Sequence, residues 1–297
     1  MTGWIWILGC MGAAALLILW LWWENNALQM TGITEANAKI PPCFDGFRIV
    51  QVSDLHNKSF GRGQSRLLEK IRLLDPDIIV ITGDLIYGAH IQRLRQYCRM
   101  DHALDFVRGA VRIAPVYYIP GNHEGRSLRY DVLRTGLEKA GVRVMREEKL
   151  TLERDGQRIH LIGSGTADFA QTEAEQKNAV REMLAAIRLA ADRPEEYQIL
   201  LVHHPEFFAG YCAAGVDLVF AGHAHGGQIR LPGIGGLLAP GQGMFPRYVS
   251  GIYRKNKTAL VVSRGLGRSL FPFRINNRPE LVCVTLKKER KSEKDGH

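Results

Sequence analysis

The chain has 297 residues, of which 46% are hydrophobic and 23% are charged, and this composition excludes a disordered or fibrous protein. Its five cysteines stand far apart and form no CxxC pair, so they indicate neither a disulfide framework nor a thiolate zinc site. The formal net charge of +9 favours an anionic substrate or an anionic membrane surface, but charge alone does not choose between them.

The first predicted element is a membrane-spanning helix over residues 3–23, a stretch without a single charged residue. A helix of this length is ~30 Å long, which matches the hydrocarbon core of a bilayer. Tryptophans lie near both of its ends, as is typical of the two membrane interfaces. A cleaved signal peptide is the main alternative, but no Lys or Arg precedes the segment. We therefore predict a retained single-pass anchor of undetermined orientation, followed by a polar linker over residues 24–44.

The rest of the chain alternates between apolar runs and stretches with helical spacing, which predicts an α/β fold with a partly antiparallel portion. One folded domain is expected over residues 45–286, and a charged, disordered tail over 287–297. In chain order, the predicted elements are a strand at 47–52, a helix at 65–74, a strand at 77–82, a helix at 93–109, a strand at 116–119, a helix at 133–140, a hairpin pairing 149–154 with 158–162, a helix at 173–190, and strands at 198–202, 217–221, 259–262 and 280–286.

Polar groups follow five of the predicted strands. Because ligands gather at the carboxyl ends of strands in open α/β sheets, we expect these groups to converge. Glycines beside three of them allow the backbone to turn sharply and to approach a bound group closely. The motifs are Asp54-x-His56, Gly83-Asp84, Gly121-Asn122-His123-Glu124, His203 and Gly222-His223-x-His225.

The residue types in these motifs predict a metal site. Imidazole, carboxylate and amide oxygen together suit manganese, zinc or iron. Seven candidate ligands exceed the needs of one tetrahedral ion, but they suit two divalent ions bridged by one carboxylate, an arrangement that clamps the attacking and leaving oxygens of a phosphoryl group. A single strand-end histidine is more often structural, so the prediction depends on all five motifs occurring in order.

The order D-x-H … G-D … G-N-H-E … H … G-H-x-H resembles the calcineurin-like metallophosphoesterase superfamily. The longer strings GHAHGGQIRLPG and SRGLG (Ser263–Gly267) are similar to those of its bacterial membrane-associated branch. The resemblance covers residues 45–286. It implies a four-layer α/β/β/α sandwich, preceded here by one transmembrane helix, with a metal pair above the strand ends.

The resemblance also implies a role for each motif residue. His123 matches the family's catalytic histidine, which lies beside the metals, and Glu124 is expected to orient its ring. His203 is preferred to His204 because the family pattern is His-x-Pro and Pro205 supplies the proline. The implied ligands are Asp54, His56 and His225 for the first ion, Asn122, His203 and His223 for the second, and Asp84 as the bridge.

The expected function is metal-dependent hydrolysis of a phosphate ester or anhydride, with a lipid-linked or cell-envelope substrate because the anchor keeps the site near a membrane. A nuclease or nucleotide phosphodiesterase is the alternative; the basic charge permits it, but no aromatic-interleaved groove for stacking bases is evident, so nucleic acid is not expected as a partner. A non-catalytic, metal-dependent scaffold is a third hypothesis, against which the complete ligand set argues. No protein partner follows from the sequence.

Two further features leave alternatives open. The glycine- and leucine-rich stretch 231–245 either contacts an acyl chain or the membrane, or forms a turn that packs on the core. Arg62, Arg126 and Arg247 are candidates for contacting phosphate, with ordinary surface arginine as the alternative.

Overall fold

The computed structural model describes residues 2–88, 98–170, 172–268, 271 and 273–289. The helices are α1 (Thr2–Asn26), α2 (Ser65–Leu74), α3 (Asp101–Ala110), α4 (Asn122–Arg126), α5 (Tyr130–Lys139), α6 (Glu173–Ala190) and α7 (Phe208–Ala214). The strands are β1 (Gln29–Asn37), β2 (Arg48–Val52), β3 (Ile78–Thr82), β4 (Val116–Ile119), β5 (Arg143–Val144), β6 (Glu148–Arg154), β7 (Gln157–Gly163), β8 (Tyr197–Leu201), β9 (Leu218–Ala221), β10 (Arg230–Leu231), β11 (Gly235–Gly236), β12 (Leu238–Ala239), β13 (Gly243–Met244), β14 (Gly251–Lys255), β15 (Thr258–Val262) and β16 (Glu280–Lys288).

Most of the described strands belong to two six-stranded sheets. The first has the order β1-β16-β2-β3-β4-β5, and the second has the order β14-β15-β9-β8-β7-β6. Strands β2, β3, β4 and β5 are parallel, as are β7, β8, β9 and β15. The antiparallel pairs are β16 with β2, β6 with β7, and β14 with β15. The parallel strands therefore bring their carboxyl ends, and the motifs that follow them, to one edge of each sheet.

The side chains of each sheet alternate between two apolar clusters. Ile49 of β2 packs between the sheets in the same cluster as Phe220 of β9. Its neighbour Val50 faces the other way, in a cluster with residues of α2, α3 and α5. On the second sheet, Val219 faces a cluster that includes residues of α6 and α7. The layers are therefore helices, sheet, sheet and helices, which confirms the predicted α/β/β/α sandwich.

The longer periodic segments were predicted well. Helices α2 and α6 begin and end at the predicted residues. The hairpin β6–β7 turns at Asp155 and Gly156, both of which have positive φ, as a two-residue hairpin requires. The helix predicted at 93–109 instead begins at Asp101, where the Asn57 side chain accepts a hydrogen bond from the Ala103 amide (3.0 Å). Residues 93–97 lie outside the described residues.

The prediction of a linker over 24–44 was wrong for residues 29–37. These residues form β1, which pairs in parallel with β16 from Gln29 opposite Glu280 to Asn37 opposite Lys288. Met30 and Ile33 are its only large apolar residues, too few for a strand pattern. The pairing also extends β16 to Lys288, so the tail predicted from residue 287 is a strand over its first two residues. Residues 290–297 lie outside the described part of the chain.

The short elements β5, β14, α4 and α7 were not predicted either. In the stretch 231–245, Ile234, Met244 and Phe245 are each at least 60% exposed, whereas Ala239 is buried. A turn packed on the core is therefore the wrong interpretation for these three side chains.

The N-terminal helix α1 stands apart from the packed layers. Its segment Trp4–Asn26 has a mean hydropathy of 2.2 and is apolar and long enough to cross a membrane. The helix ends at Asn26, and β1 begins at Gln29. Residues 27 and 28 alone join α1 to the first sheet, and Leu28 is buried in the core beneath it.

Candidate metal centre

The loops after β2, β3, β4, β8 and β9 converge at one point, as expected from the carboxyl ends of parallel strands. Their side chains form three groups of potential metal ligands, and the ligand atoms within each group lie no more than 4.8 Å apart. The third group is His204, Glu206 and His223. Asp84 belongs to the other two. The first group is Asp54, His56, Asp84 and His225, and the second is Asp84, His203 and His223.

Glycines make this convergence possible at two positions. Gly83 has a φ of +89°, which an L side chain rarely adopts, so the chain turns directly into Asp84. Gly222 lies so close to the β2 loop that a Cβ atom there would come 1.9 Å from Ser53 Oγ and 2.5 Å from Asp54 Oδ2. The chain beside His223 can therefore approach the β2 loop this closely only because Gly222 has no Cβ atom.

Replacing Gly222 by alanine is expected to displace Asp54 and to lower metal-dependent phosphoesterase activity by ~100-fold, because a shift of about 1 Å at a reacting centre has that effect. The measurement is the hydrolysis rate of a soluble phosphodiester at saturating metal. Gly32→Ala is the matched control, since its Cβ would meet no atom within 4 Å. Equal activity of the two variants would contradict the packing argument.

In the first group, the side-chain nitrogen and oxygen atoms point towards one another. His56 Nδ1 lies 3.3 Å from the Ile86 carbonyl oxygen, so its hydrogen is on Nδ1 and the lone pair is on Nε2. That Nε2 is 3.2 Å from His225 Nε2 and 3.8 Å from Asp84 Oδ2. His225 Nε2 is in turn 3.2 Å from Asp54 Oδ1. The potential ligand atoms of these four residues thus converge at one point.

The second group converges in the same way. His203 Nδ1 lies 2.7 Å from the Thr82 carbonyl oxygen, which directs Nε2 into the site. His203 Nε2 is 3.2 Å from Asp84 Oδ2, 3.2 Å from His223 Nδ1 and 3.1 Å from Asn122 Oδ1. The seven predicted ligands therefore all meet here, with three on one side of Asp84 and three on the other.

Asp84 Oδ2 gives the most direct test of whether a cation fits. It is fully buried and accepts no hydrogen bond from any described residue, although its partner oxygen Oδ1 accepts one from the His123 amide (2.8 Å). A buried carboxylate oxygen without a donor is costly. Converging imidazole and carboxylate atoms would bind a divalent ion such as manganese, zinc or iron, whereas calcium prefers oxygen ligands alone. The residues fit the metal that the motifs predicted.

The protonation of the site also suits a metal. Burial lowers the pKa of His56 to about 3, and it lowers the pKa of His223 and His225 well below the usual value, so these imidazoles are neutral at pH 7. Burial alone would also lower the pKa of His203, but the Asp84 carboxylate raises it well above its usual value. His203 can bind a metal ion through Nε2 only as the neutral ring, so metal uptake should release a proton.

His123 lies beside the two groups and belongs to neither. Its Nε2 is 3.9 Å from Asp84 Oδ2, and its Nδ1 is 3.0 Å from the Gly88 carbonyl oxygen. The expectation that Glu124 orients this ring was wrong. Both Glu124 oxygens accept backbone hydrogen bonds, from the amides of Asp84 (2.8 Å), Gly121 (2.8 Å) and Ile86 (3.1 Å). Glu124 therefore fixes the loop that carries the bridging carboxylate.

Of the three arginines considered from sequence, Arg126 reaches the site. One atom of the Asn122 side-chain amide faces His203, and the other lies 2.6 Å from Arg126 Nη1. Arg62 is exposed, and Arg247 lies over the ring of Tyr248 at 5.3 Å. The SRGLG segment contributes backbone support instead, because the amides of Leu266 and Gly267 donate to the carbonyl oxygens of Ser53 (3.0 Å) and Asp54 (2.6 Å).

Sequence analysis missed a buried ionic cluster that supports the second group. His204 Nε2 is 2.7 Å from Asp168 Oδ1, and its Nδ1 is 2.8 Å from Glu206 Oε1. Its ring lies 4.2 Å from that of His223. Burial alone would lower the pKa of His204, but the two carboxylates raise it to about 10, so the ring is a cation. Asp168 follows no predicted strand and is 36 residues from His204, so no local signal linked them.

Replacing His204 by alanine is expected to lower the free energy of unfolding by about 3 kcal/mol at pH 7, because it leaves two buried carboxylates without their cation. The folded pKa of about 10 lies above the reference value of 6.5, so this contribution is complete below pH 6.5 and disappears as the pH rises through 10. Urea unfolding of the metal-free protein should therefore show a smaller difference at pH 9 than at pH 7. A constant difference, or one no larger than that of His102→Ala at the surface, would contradict the assignment.

The sequence is similar to one family model and to several known proteins. The family model for calcineurin-like phosphoesterases matches residues 47–227. The metallophosphoesterase YkuE of Bacillus subtilis is 29% identical over 89% of this chain and 87% of its own length, and the phosphodiesterase YaeI of Escherichia coli is 26% identical over 81% and 82%. The UDP-2,3-diacylglucosamine pyrophosphatase LpxG of Chlamydia trachomatis is 24% identical over 88% and 84%.

Proposed function

Because this chain belongs to the calcineurin-like phosphoesterase family, we propose that it cleaves its substrate with two divalent ions bridged by Asp84. The family is metal-dependent, and the chain is a hydrolase of phosphate esters. The observation that supports two ions is that both ligand groups share Asp84, whose buried Oδ2 has no donor among the described residues.

Each ion is assigned its own ligands. Two bound ions would act as Lewis acids on the phosphoryl oxygens and activate the attacking water. Manganese, zinc and iron all suit the donor set. The first ion would be held by Asp54, His56 and His225, the second by Asn122, His203 and His223, and both by Asp84.

His123 is proposed as the catalytic residue. The Gly88 carbonyl oxygen fixes the hydrogen on Nδ1 and leaves Nε2 directed towards Asp84, at 3.9 Å. Burial lowers the pKa of His123, which keeps the free ring neutral. An anionic phosphate bound nearby would favour protonation of Nε2, which could then transfer its proton to the leaving oxygen.

The proposed substrate is a phosphate ester or anhydride carried by a lipid. The apolar helix α1 supports a single-pass membrane protein. Only two residues separate α1 from β1, so the catalytic domain would stay close to the bilayer. One relative, LpxG, is named for action on a diacylglucosamine nucleotide. Its name supports a lipid-linked substrate class here without specifying the molecule.

The test uses the full chain in detergent, stripped with a chelator and then supplied with manganese. We expect hydrolysis of bis(p-nitrophenyl) phosphate to depend on the metal, and a lipid-extract screen to contain a better substrate than any nucleic acid. A preference for nucleic acid at physiological salt would favour the nuclease hypothesis. Bound metal without turnover of any phosphate ester would favour the scaffold.

A further inference from the structure

The last turn of α1 is bonded to the catalytic domain. Glu24 and Asn25 are both buried, at 5% and 2% exposure. The Glu24 carboxylate accepts a hydrogen bond from the Asn277 amide (3.0 Å), and Asn25 Oδ1 accepts one from the Arg274 amide (3.0 Å). Lys58 donates to the Asn25 carbonyl oxygen at the end of the helix. The helix is therefore fixed to the domain by buried polar contacts.

The same residues also hold the walls of the metal centre. The Asn277 side chain donates to the carbonyl oxygen of His225 (2.7 Å). The Arg274 guanidinium donates twice to the carbonyl oxygen of Gly267 (2.7 and 3.0 Å), and the Gly267 amide contacts the Asp54 carbonyl oxygen. A continuous chain of hydrogen bonds thus joins the end of α1 to two of the proposed metal ligands.

The loop next to this helix end presents apolar side chains to the outside. Phe271 and Phe273 are 44% and 46% exposed, with ring centroids 6.5 Å apart. Phe273 immediately precedes Arg274, the residue bonded to Asn25. Exposed phenylalanine in water is unfavourable, by about 25 cal/mol for each Å² of apolar surface, so a cluster of this kind marks a surface that contacts something apolar.

A neighbouring segment also exposes apolar side chains. The Arg230 amide donates to the Ile275 carbonyl oxygen (3.0 Å), which joins the glycine-rich stretch to the phenylalanine loop. The exposed side chains of Ile234, Met244 and Phe245 lie on this stretch. We call the five exposed side chains of these two joined segments, Phe271, Phe273, Ile234, Met244 and Phe245, the apolar rim.

A cleft of about 400 Å³ is lined by Asn26 at the end of α1, by Arg268 and by the candidate ligand His56. A small hollow of about 10 Å³, also lined by Arg268, lies beside Phe271, Phe273 and the candidate ligand His225. The cleft therefore connects the helix end with the metal centre, and the hollow places Arg268 next to the two phenylalanines.

We propose that the apolar rim lies in the headgroup layer of the bilayer that holds α1, and that a bilayer-borne phosphate reaches the metal centre past Arg268. The inference rests on the proposed membrane anchor and phosphoesterase activity. The bilayer is the occupant because the rim adjoins the end of an apolar helix 23 residues long, and because the exposed Arg268 beside it complements anionic headgroups. The acyl chains would remain in the bilayer while the phosphate crosses the rim.

The position of the rim can be tested without any activity. Full-length Phe273→Cys and Leu189→Cys variants are reconstituted into phosphatidylcholine vesicles and treated with a membrane-impermeant maleimide. Peptide mass spectrometry then reads the labelling at residues 273 and 189 separately from the native cysteines. Leu189 is the control because it is 79% exposed on α6. We expect residue 273 to react at least ~10-fold more slowly, since insertion removes it from water; equal rates would overturn the proposal.

Substrate delivery is tested with two esters that share a leaving group. One is bis(p-nitrophenyl) phosphate in water, and the other is p-nitrophenyl hexadecyl phosphate in phosphatidylcholine vesicles. The double variant Phe271→Ser with Phe273→Ser should lower the ratio of vesicle-borne to soluble hydrolysis by ~10-fold, because it removes apolar contact with the bilayer. Leu189→Ser should leave the ratio unchanged.

These outcomes separate the two proposals. An unchanged ratio in the double variant would overturn the delivery role. Failure of the unmodified protein to cleave either ester would overturn the proposed function instead, and the labelling at residue 273 would still decide where the rim lies.

Discussion

Replacing Asp84 by asparagine is expected to remove both metal ions and to lower phosphoesterase activity by at least ~1000-fold. Asp84 Oδ2 is the atom that both ligand groups share, at 3.2 Å from His203 Nε2 and 3.8 Å from His56 Nε2. A neutral amide oxygen carries no charge, so it cannot neutralise two cations as the carboxylate oxygen would. Elemental analysis and the hydrolysis rate of a soluble phosphodiester measure the two effects together.

The control for this variant is Asp217→Asn, a buried carboxylate outside the centre. Asp217 bonds to Lys39 and to the Gln198 amide, so its loss should lower stability but leave the metal content unchanged. An Asp84→Asn variant that keeps two ions for each chain and more than a tenth of its activity would contradict the bridging role.

Replacing His123 by alanine is expected to have the opposite pattern, in which both metals remain and activity falls by ~100-fold or more. The ring belongs to neither ligand group, and its Nε2 lies 3.9 Å from the bridging carboxylate. Its removal therefore takes away a proton-transfer group without opening a coordination position. The decrease should appear in kcat more than in KM, because the interaction strengthens in the transition state.

His160→Ala provides the comparison for this variant. His160 is buried like His123, but it lies on β7 of the second sheet and pairs with Glu196. Its removal should therefore not change the hydrolysis rate of the folded protein. Loss of metal in His123→Ala would make His123 a ligand and overturn its assignment as the catalytic residue. An unchanged rate would remove it from the reaction.

The fold could be predicted where the signal was local. The apolar runs before Asp54, Asp84 and His223 are buried strands, and the amphipathic spacing of α2 and α6 gave their ends. The motif order placed every proposed ligand, because parallel strands end at the same edge of a sheet. The convergence of these side chains could therefore be predicted from sequence, and their roles as ligands stay a prediction.

What sequence could not supply depends on contacts between distant segments. Strand β1 has a weak pattern and is held by pairing with β16, about 250 residues away in the chain. The role of Glu124 depends on three backbone amides that only the fold brings together. The attachment of Asn25 to Arg274 is likewise invisible in a helix whose composition predicts only a membrane span.

Anomalous diffraction from crystals of the manganese-loaded protein tests most directly whether five separate chain segments hold two cations around one carboxylate. We predict two peaks ~3.5–4 Å apart, with the Asp84 carboxylate between them. A single peak at full manganese occupancy, or two peaks of which one lies beyond bonding distance of Asp84, would contradict it.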